Sequence, residues 1–258
     1  MGKPQLGTWT SHAHIPVTSL FPVPRTISSP LNAIQAAALS VNPGTAYRML
    51  RDFVPLKRGD WVLQNGANSQ VGLAVIQIAK EWGIKSINFV RDRDDIESLR
   101  HQMQALGADH VVTYSELADK GFKSRLADWT SSSPLSLALN CVGGPDASNM
   151  AKLLHNDGSL VTYGAMSKQP LSLPSSLFIF KNLKSLGFWM TTWYATCTKE
   201  ARTDMTNELV RLLETGKLKG PETHVVELGG SDKNIAEKAI EAIETVKGKK
   251  IIFRFSPE

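Results

Sequence analysis

The sequence has little that would lock or anchor it from outside. Cysteine is scarce: Cys141 and Cys197 are the only two among 258 residues. Two thiols cannot supply a four-cysteine structural zinc site and make a disulfide framework a poor reading, so a reducing compartment is the simplest expectation. No apolar run approaches the roughly 20 residues that cross a bilayer, so no membrane span is expected. No signal or transit peptide is visible, because Met1-Gly2-Lys3-Pro4-Gln5 runs straight into Leu6-Gly7-Thr8-Trp9. Leu6 also stands where a myristoylation signal needs a small hydroxyl residue. Basic clusters are missing as well. The formal charge of +5 comes from scattered lysines and arginines, which suits anionic ligands and argues against a nucleic-acid partner. His12 and His14 alternate about Ala13 as on one face of a strand, but no third metal ligand is nearby.

What is present is an alternation of strand and helix patterns, clearest between Trp61 and Arg93. Trp61-Val62-Leu63-Gln64 is a short run of the kind buried in a parallel sheet. Asn65 to Gly72 turns directly into the helical pattern Leu73 to Trp82. The free N–H groups of a helix start make such a turn a seat for a pyrophosphate. The spacing keeps Gly66 and Gly72 but has Asn68, Ser69 and Gln70 where other nucleotide folds often carry glycine. Taken alone it is therefore a weak signal, and a plain turn without a ligand stays open. The second strand, Ser86 to Val90, runs into Arg91-Asp92-Arg93. An NAD site usually has an acid here for the ribose 2′-hydroxyl, whereas arginine suits a 2′-phosphate, so NADPH is the expected cofactor. Asp92 reads as a solvated partner to one of its neighbours.

Before this unit, Thr8 to Ala13 reads as a strand and Ser19 to Pro24 as an extended segment. Asn32 to Phe53 reads as helical with an interruption at Val41-Asn42-Pro43-Gly44, after which Thr45 caps a helix from Ala46 to Asp52. After Arg93 the alternation continues. Asp94 or Asp95 caps a helix ending at Gly107, and strands are expected over His110 to Tyr114, Leu135 to Cys141, Ser159 to Tyr163 and Leu183 to Trp189. Helices are expected over Phe122 to Trp129, Ala147 to Leu154 and Thr198 to Thr215. This pattern predicts an α/β fold, a doubly wound parallel sheet covered on both faces. His224 to Leu228, Ile235 to Val246 and Lys250 to Phe255 read as strand, helix and strand of a second lobe.

Several segments in order then carry a resemblance. Ser40-Val41-Asn42-Pro43 with Thr45-Ala46-Tyr47, Gln64-Asn65-Gly66, Arg91-Asp92-Arg93, Leu137 to Gly144, Thr162 to Met166, Ile179-Phe180-Lys181 and Gly187-Phe188-Trp189 resemble the mitochondrial trans-2-enoyl-thioester reductases, zinc-free members of the medium-chain dehydrogenase/reductase superfamily. The resemblance implies a Rossmann-type NADPH domain over residues 29–203. Residues 1–28 and 204–258 would be remnants of a GroES-like catalytic domain. It implies NADPH-dependent reduction of enoyl-CoA or enoyl-acyl-carrier-protein in mitochondrial fatty acid synthesis, a homodimer, and a matrix location.

Carried over position by position, the resemblance puts Asn42 near the nicotinamide and Asn68, Ser69, Gln70 and Val71 at the pyrophosphate. Arg91, Asp92 and Arg93 fall at the 2′-phosphate. Tyr163, Gly164, Ala165 and Met166, with Phe188, Trp189 and Met190, would wall the nicotinamide and ribose, and Lys249 would reach across from the C-terminal strand. The family has a small residue or glycine at Gln70 and usually glycine at Ala165. Its proton-donating tyrosine lies in a lobe preceding the Gly-Thr-Trp strand, so no catalytic residue is expected within this chain, and none of Tyr47, Tyr114, Tyr163 or Tyr194 matches it. The resemblance does not by itself imply activity for a chain of this form. Two alternatives are a quinone or alkenal reductase of the same superfamily and a non-catalytic, truncated NADPH-binding isoform.

Overall fold

The computed structural model describes residues 10–17, 20–23, 31–246 and 248–255. The chain divides into two compact units, residues 39–219 and residues 1–38 with 220–258. The larger unit holds a six-stranded parallel sheet: β1 (Trp61–Asn65), β2 (Lys85–Val90), β3 (His110–Thr113), β4 (Leu137–Asn140), β5 (Ser159–Thr162) and β6 (Lys184–Gly187). The spatial order is β3-β2-β1-β4-β5-β6, and each pair is parallel, for instance Leu63 beside Ile87 and Ala138. Strand order reverses between β1 and β4. In an open α/β sheet, ligands bind outside the carboxyl ends of the strands at such a switch point.

The helices follow from the sequence in the same way. In the larger unit they are α2 (Asn42–Asp52), α3 (Gln70–Trp82), α4 (Ile96–Leu106), α5 (Tyr114–Ala118), α6 (Phe122–Thr130), α7 (Gly144–Ala151), α8 (Ser175–Lys181), α9 (Met190–Thr196) and α10 (Lys199–Glu214); α1 (Ala33–Leu39) precedes them. Gly83 and Gly107 close α3 and α4 in left-handed conformations, with φ of 72° and 119°, which glycine adopts without a Cβ penalty. Trp61, Leu63, Ile87, Phe89, Leu160 and Phe122 pack on one side of the sheet, and Ile76, Val90 and Met103 gather in a second cluster. Leu63 and Phe89 are completely buried, so truncating either to alanine would cost roughly 2–5 kcal/mol.

The smaller unit pairs β7 (Thr223–Leu228) with β8 (Lys250–Phe255) in parallel, joined by α11 (Asp232–Thr245). A parallel pair needs such a crossover. This ending forms a two-stranded sheet separate from the six-stranded one.

Several local expectations are corrected. The break in the early helical region falls at Ser40 and Val41, and α2 begins at Asn42 with Pro43 in its first turn. Proline is tolerated there because the first-turn N–H groups have no intrahelical partner, so Thr45 lies inside the helix instead of capping it. Thr10 to Ala13 is not a strand, and residues 20–23 have no regular structure; Thr8, Trp9, Ser19 and Pro24 lie outside the described residues. Tyr114 starts α5 instead of ending β3: Thr113 accepts from the Glu116 N–H while the Glu116 side chain accepts from the Thr113 N–H, a capping box written in the sequence as Thr-x-x-Glu. Asp95 occupies the cap position of α4 without a capping bond and lies 3.9 Å from Arg93 Nε. The expected boundary at residue 204 falls inside α10, whose Met205, Leu209 and Leu212 are buried and which belongs to the larger unit.

Candidate functional site

The turn after β1 is built by two glycines that no other residue could replace without movement. Gly66 has φ of 56°, and a Cβ there would stand 2.6 Å from the Cys141 Sγ; at Gly72 it would stand 2.3 Å from the Ala67 carbonyl oxygen. The second contact brings α3 close against the end of β1, which a glycine at this position allows. Ser69 caps α3, its Oγ accepting from the Gly72 N–H at 3.2 Å. Asn68, Ser69, Gln70 and Val71 are half-buried along the turn and first helical residues, where a helix start presents backbone donors to an anion.

Behind the turn lies a buried polar ladder across the carboxyl ends of three strands. Asn140 Oδ1 accepts from Asn65 Nδ2 at 2.8 Å and from the N–H groups of Val142 and Gly143 at 3.1 Å. Asn140 Nδ2 donates to Thr162 Oγ1 at 3.1 Å, and Asn65 Oδ1 accepts from the Cys141 N–H at 2.8 Å. The loops leaving β1, β4 and β5 are thereby held in register. Asn65 and Asn140 were not singled out from the sequence as site residues; an asparagine at the carboxyl end of each of two buried strands is the signal that could have found them.

Two tyrosines back the turn. The Tyr114 hydroxyl accepts from the Gly66 N–H at 3.3 Å, and burial pushes its pKa up to about 12. The Tyr163 hydroxyl is buried with no hydrogen-bond partner among the described residues. Burial first, then the neighbouring Cys141, holds it well above the ordinary phenol range. Gly164 packs against Cys141, where an added Cβ would come within 3.2 Å of the Cys141 Cβ. Ala165 and Met166 are exposed, and the Met166 N–H donates to the Cys141 carbonyl at 2.8 Å.

At the end of β2, Arg91 is exposed and Arg93 half-buried. Asp92 engages neither. Its carboxylate accepts from the Ser115 N–H at 3.2 Å and from the Ser115 hydroxyl, bonds that, with the hydroxyl first, hold its pKa below the usual carboxylate range. Arg91 has no ion-pair partner among the described residues.

Asn42 heads α2, along which α9 and its lead-in lie. The Gly44 Cα faces Met190, whose Cε would be 3.1 Å from an added Cβ. The Tyr194 hydroxyl donates to the Ser40 carbonyl at 2.8 Å, and Phe188 meets Phe53 edge-on at 5.9 Å between ring centroids. Met190 is buried, whereas Trp189 is 64% exposed. Lys249 belongs to the other unit, just before β8, where its ammonium pairs with Glu222 at 2.8 Å.

These features suit a dinucleotide phosphate: a close glycine turn, a capped helix start, an orphaned buried hydroxyl beside Cys141, and free arginine charge past β2. Among the described residues, no group of three or more His, Cys, Asp or Glu could hold a metal ion.

Comparison with known proteins gives the same direction. The family described as zinc-binding dehydrogenase matches residues 71–213. The mitochondrial enoyl-acyl-carrier-protein reductase of Schizosaccharomyces pombe is 42% identical over 255 residues, covering 98% of this chain and 68% of that protein. The enzyme of the same name from Yarrowia lipolytica is 47% identical over 191 residues, covering 74% of this chain and 49% of that one. Among solved structures, Etr1p in complex with NADP and crotonyl-CoA superposes with a TM-score of 0.81 at 37% identity, over 86% of this chain and 62% of that one. The chain thus spans about half to two thirds of the length of these relatives. On sheet order, glycine turn and sequence identity together, the chain belongs to the mitochondrial enoyl-acyl-carrier-protein reductase family of the zinc-binding dehydrogenases.

Proposed function

We propose that the chain binds NADPH and serves the reduction of trans-2-enoyl thioesters, carried on CoA or acyl carrier protein, to acyl thioesters. The observation that carries this reading is the end of β2, where Ser115 holds Asp92 aside, Arg91 has no ion-pair partner among the described residues, and Arg93 keeps only the long 3.9 Å contact with Asp95. In the proposed site the α3 start and Ser69 receive the pyrophosphate, and the two guanidinium groups receive the 2′-phosphate. Asn42, Tyr163 to Met166 and Phe188 to Met190 wall the nicotinamide and ribose. NADPH, when bound, supplies the hydride that adds to the β-carbon of the enoyl thioester. The chain's own part is to fix the cofactor's orientation and exclude water from its reactive face. Proton delivery is assigned to none of its tyrosines.

The larger unit is then the NADPH domain and the smaller one a part of the catalytic domain. The relatives' names, mitochondrial enoyl-acyl-carrier-protein reductase, support a mitochondrial setting; a role in fatty acid synthesis in the matrix is part of the proposal. A homodimer is proposed through the β6 edge: β6 is the last strand of its sheet, and Ile179 and Phe180 of the adjoining α8 are 70% and 77% exposed. An open edge beside apolar side chains invites a second strand. Phe180→Asp should then convert a dimer to a monomer in sedimentation measurements.

The test of cofactor and reaction is direct. Titration of the purified chain should show NADPH binding at least tenfold tighter than NADH, and crotonyl-CoA should accelerate oxidation of the reduced nicotinamide. Equal affinity for the two dinucleotides would overturn the cofactor assignment. Tight NADPH binding without turnover would leave a binding protein and remove the catalytic half of the proposal.

A further inference from the structure

At the amino-terminal edge of the larger sheet, a cavity of about 290 Å³ opens between α6, the residues leading into β4, the end of α7 and α8. It lies at the end of the strands remote from the glycine turn, because Leu135 precedes β4 whereas Gly66 follows β1, and the two strands are parallel neighbours. Four of its lining side chains are basic, Lys123, Lys152, Lys181 and His155, and none is a carboxylate. Leu126 and Leu135 supply a buried apolar floor.

Three of the four basic groups are held by hydrogen bonds, and Lys123 is exposed at the rim. Lys181 Nζ donates to the carbonyls of Lys152 at 2.9 Å and Leu154 at 2.7 Å; an ammonium carries three donors, so one remains. Burial, and then the charge of Lys123, lower the Lys181 pKa, as expected where two ammonium groups share a space with no counter-charge. His155 Nδ1 accepts the Leu135 N–H at 3.1 Å, which leaves Nε2–H as the donor. The Lys152 ammonium reaches Asn149 Oδ1 at 2.9 Å. Like charges gathered over a leucine floor suit an occupant with an anionic head on an apolar body.

We propose that this cavity is a binding site for an amphipathic organic anion, its carboxylate-type head among Lys123, Lys152 and Lys181 and its apolar body against Leu126 and Leu135. The site is independent of the dinucleotide site.

Calorimetric titration of the purified chain with octanoate, octan-1-ol and acetate tests it. Octanoate should bind at least tenfold more tightly than either of the others, and raised salt should weaken it. Two variants locate the site. Lys123→Glu should cost octanoate tenfold or more by reversing charge at the rim. Ala127→Trp, at an exposed position of α6 that lines the cavity, should abolish binding by filling it, while the thermal midpoint shows that the chain remains folded. Equal binding of octanol would reduce the site to an apolar surface, and equal binding of acetate to a point charge. An affinity unchanged in Ala127→Trp would place the ligand elsewhere. Any of these results, or no binding of octanoate up to about 10 mM, overturns the proposal.

Discussion

The carboxylate of Asp92 is bonded to Ser115, at the start of α5, through both the Ser115 backbone N–H and its hydroxyl. In sequence, Asp92 sits between two arginines and reads as the partner of one of them. In the fold, β3 lies beside β2, so the residue just beyond β3 reaches the acid first. The consequence is electrostatic, since the only carboxylate between Arg91 and Arg93 is tied to a neutral donor pair.

Ser115→Ala removes the hydroxyl and keeps the N–H. Asp92 should then spend part of its time near the arginines, weakening NADPH several-fold and narrowing its advantage over NADH. Fluorescence titration with both dinucleotides reads the ratio, and an unchanged ratio would mean that the Ser115 bond has no part in cofactor choice.

Arg91→Ala should weaken NADPH by roughly 10- to 100-fold, the span expected when a hydrogen bond between charged groups is removed. NADH, which has no 2′-phosphate, should lose little. Losses of equal size would contradict the assignment of this residue to the phosphate.

The asparagine ladder predicts a stability effect. Asn140→Ala would leave Asn65 Nδ2 and the Val142 and Gly143 N–H groups without their acceptor, in a buried setting. The expected loss is roughly 2–4 kcal/mol, read as a lower urea midpoint with an unchanged slope. A loss near zero would mean that water replaces the side chain.

Glu116 predicts a pH dependence. Burial alone would raise its pKa, but the Thr113 N–H and Arg100 outweigh burial and lower it; the carboxylate lies 2.7 Å from each. A carboxylate depressed in the folded state stabilises above its unfolded pKa of about 4.3, and that stability fades as pH falls through the folded value. Glu116→Gln should therefore flatten the acid limb of the stability profile below about pH 4. Because the Glu116 side chain is 36% exposed, the effect should be a fraction of about 1 kcal/mol. An acid limb identical to that of the parent chain would refute it.

Much of the fold was legible. Buried parallel strands show as short, largely apolar segments, and Trp61 to Gln64 with Ser86 to Val90 read so, inside the observed β1 and β2. Gly107 ended a helix at a left-handed position that glycine adopts without a Cβ penalty. The start of α2 was not legible, because Pro43 and Gly44 look like stops whether they open a helix or close one. The first residues of α5 were missed for a related reason: Tyr114 continues an apolar pattern, and only the bond pair between Thr113 and Glu116 marks the turn into a helix.

What the amino-acid order determined by itself was local: the strand-turn-helix rhythm, the two glycines after β1 and the arginines after β2. Backbone sterics and burial period act over a few residues and can be read from neighbours in the chain. What only the tertiary structure decided was which side chains meet. Asn65 and Asn140 are 75 residues apart, and Asp92 and Ser115 are 23 apart. Such pairs come together because parallel strands place their carboxyl ends side by side, and that arrangement is set by packing the whole sheet.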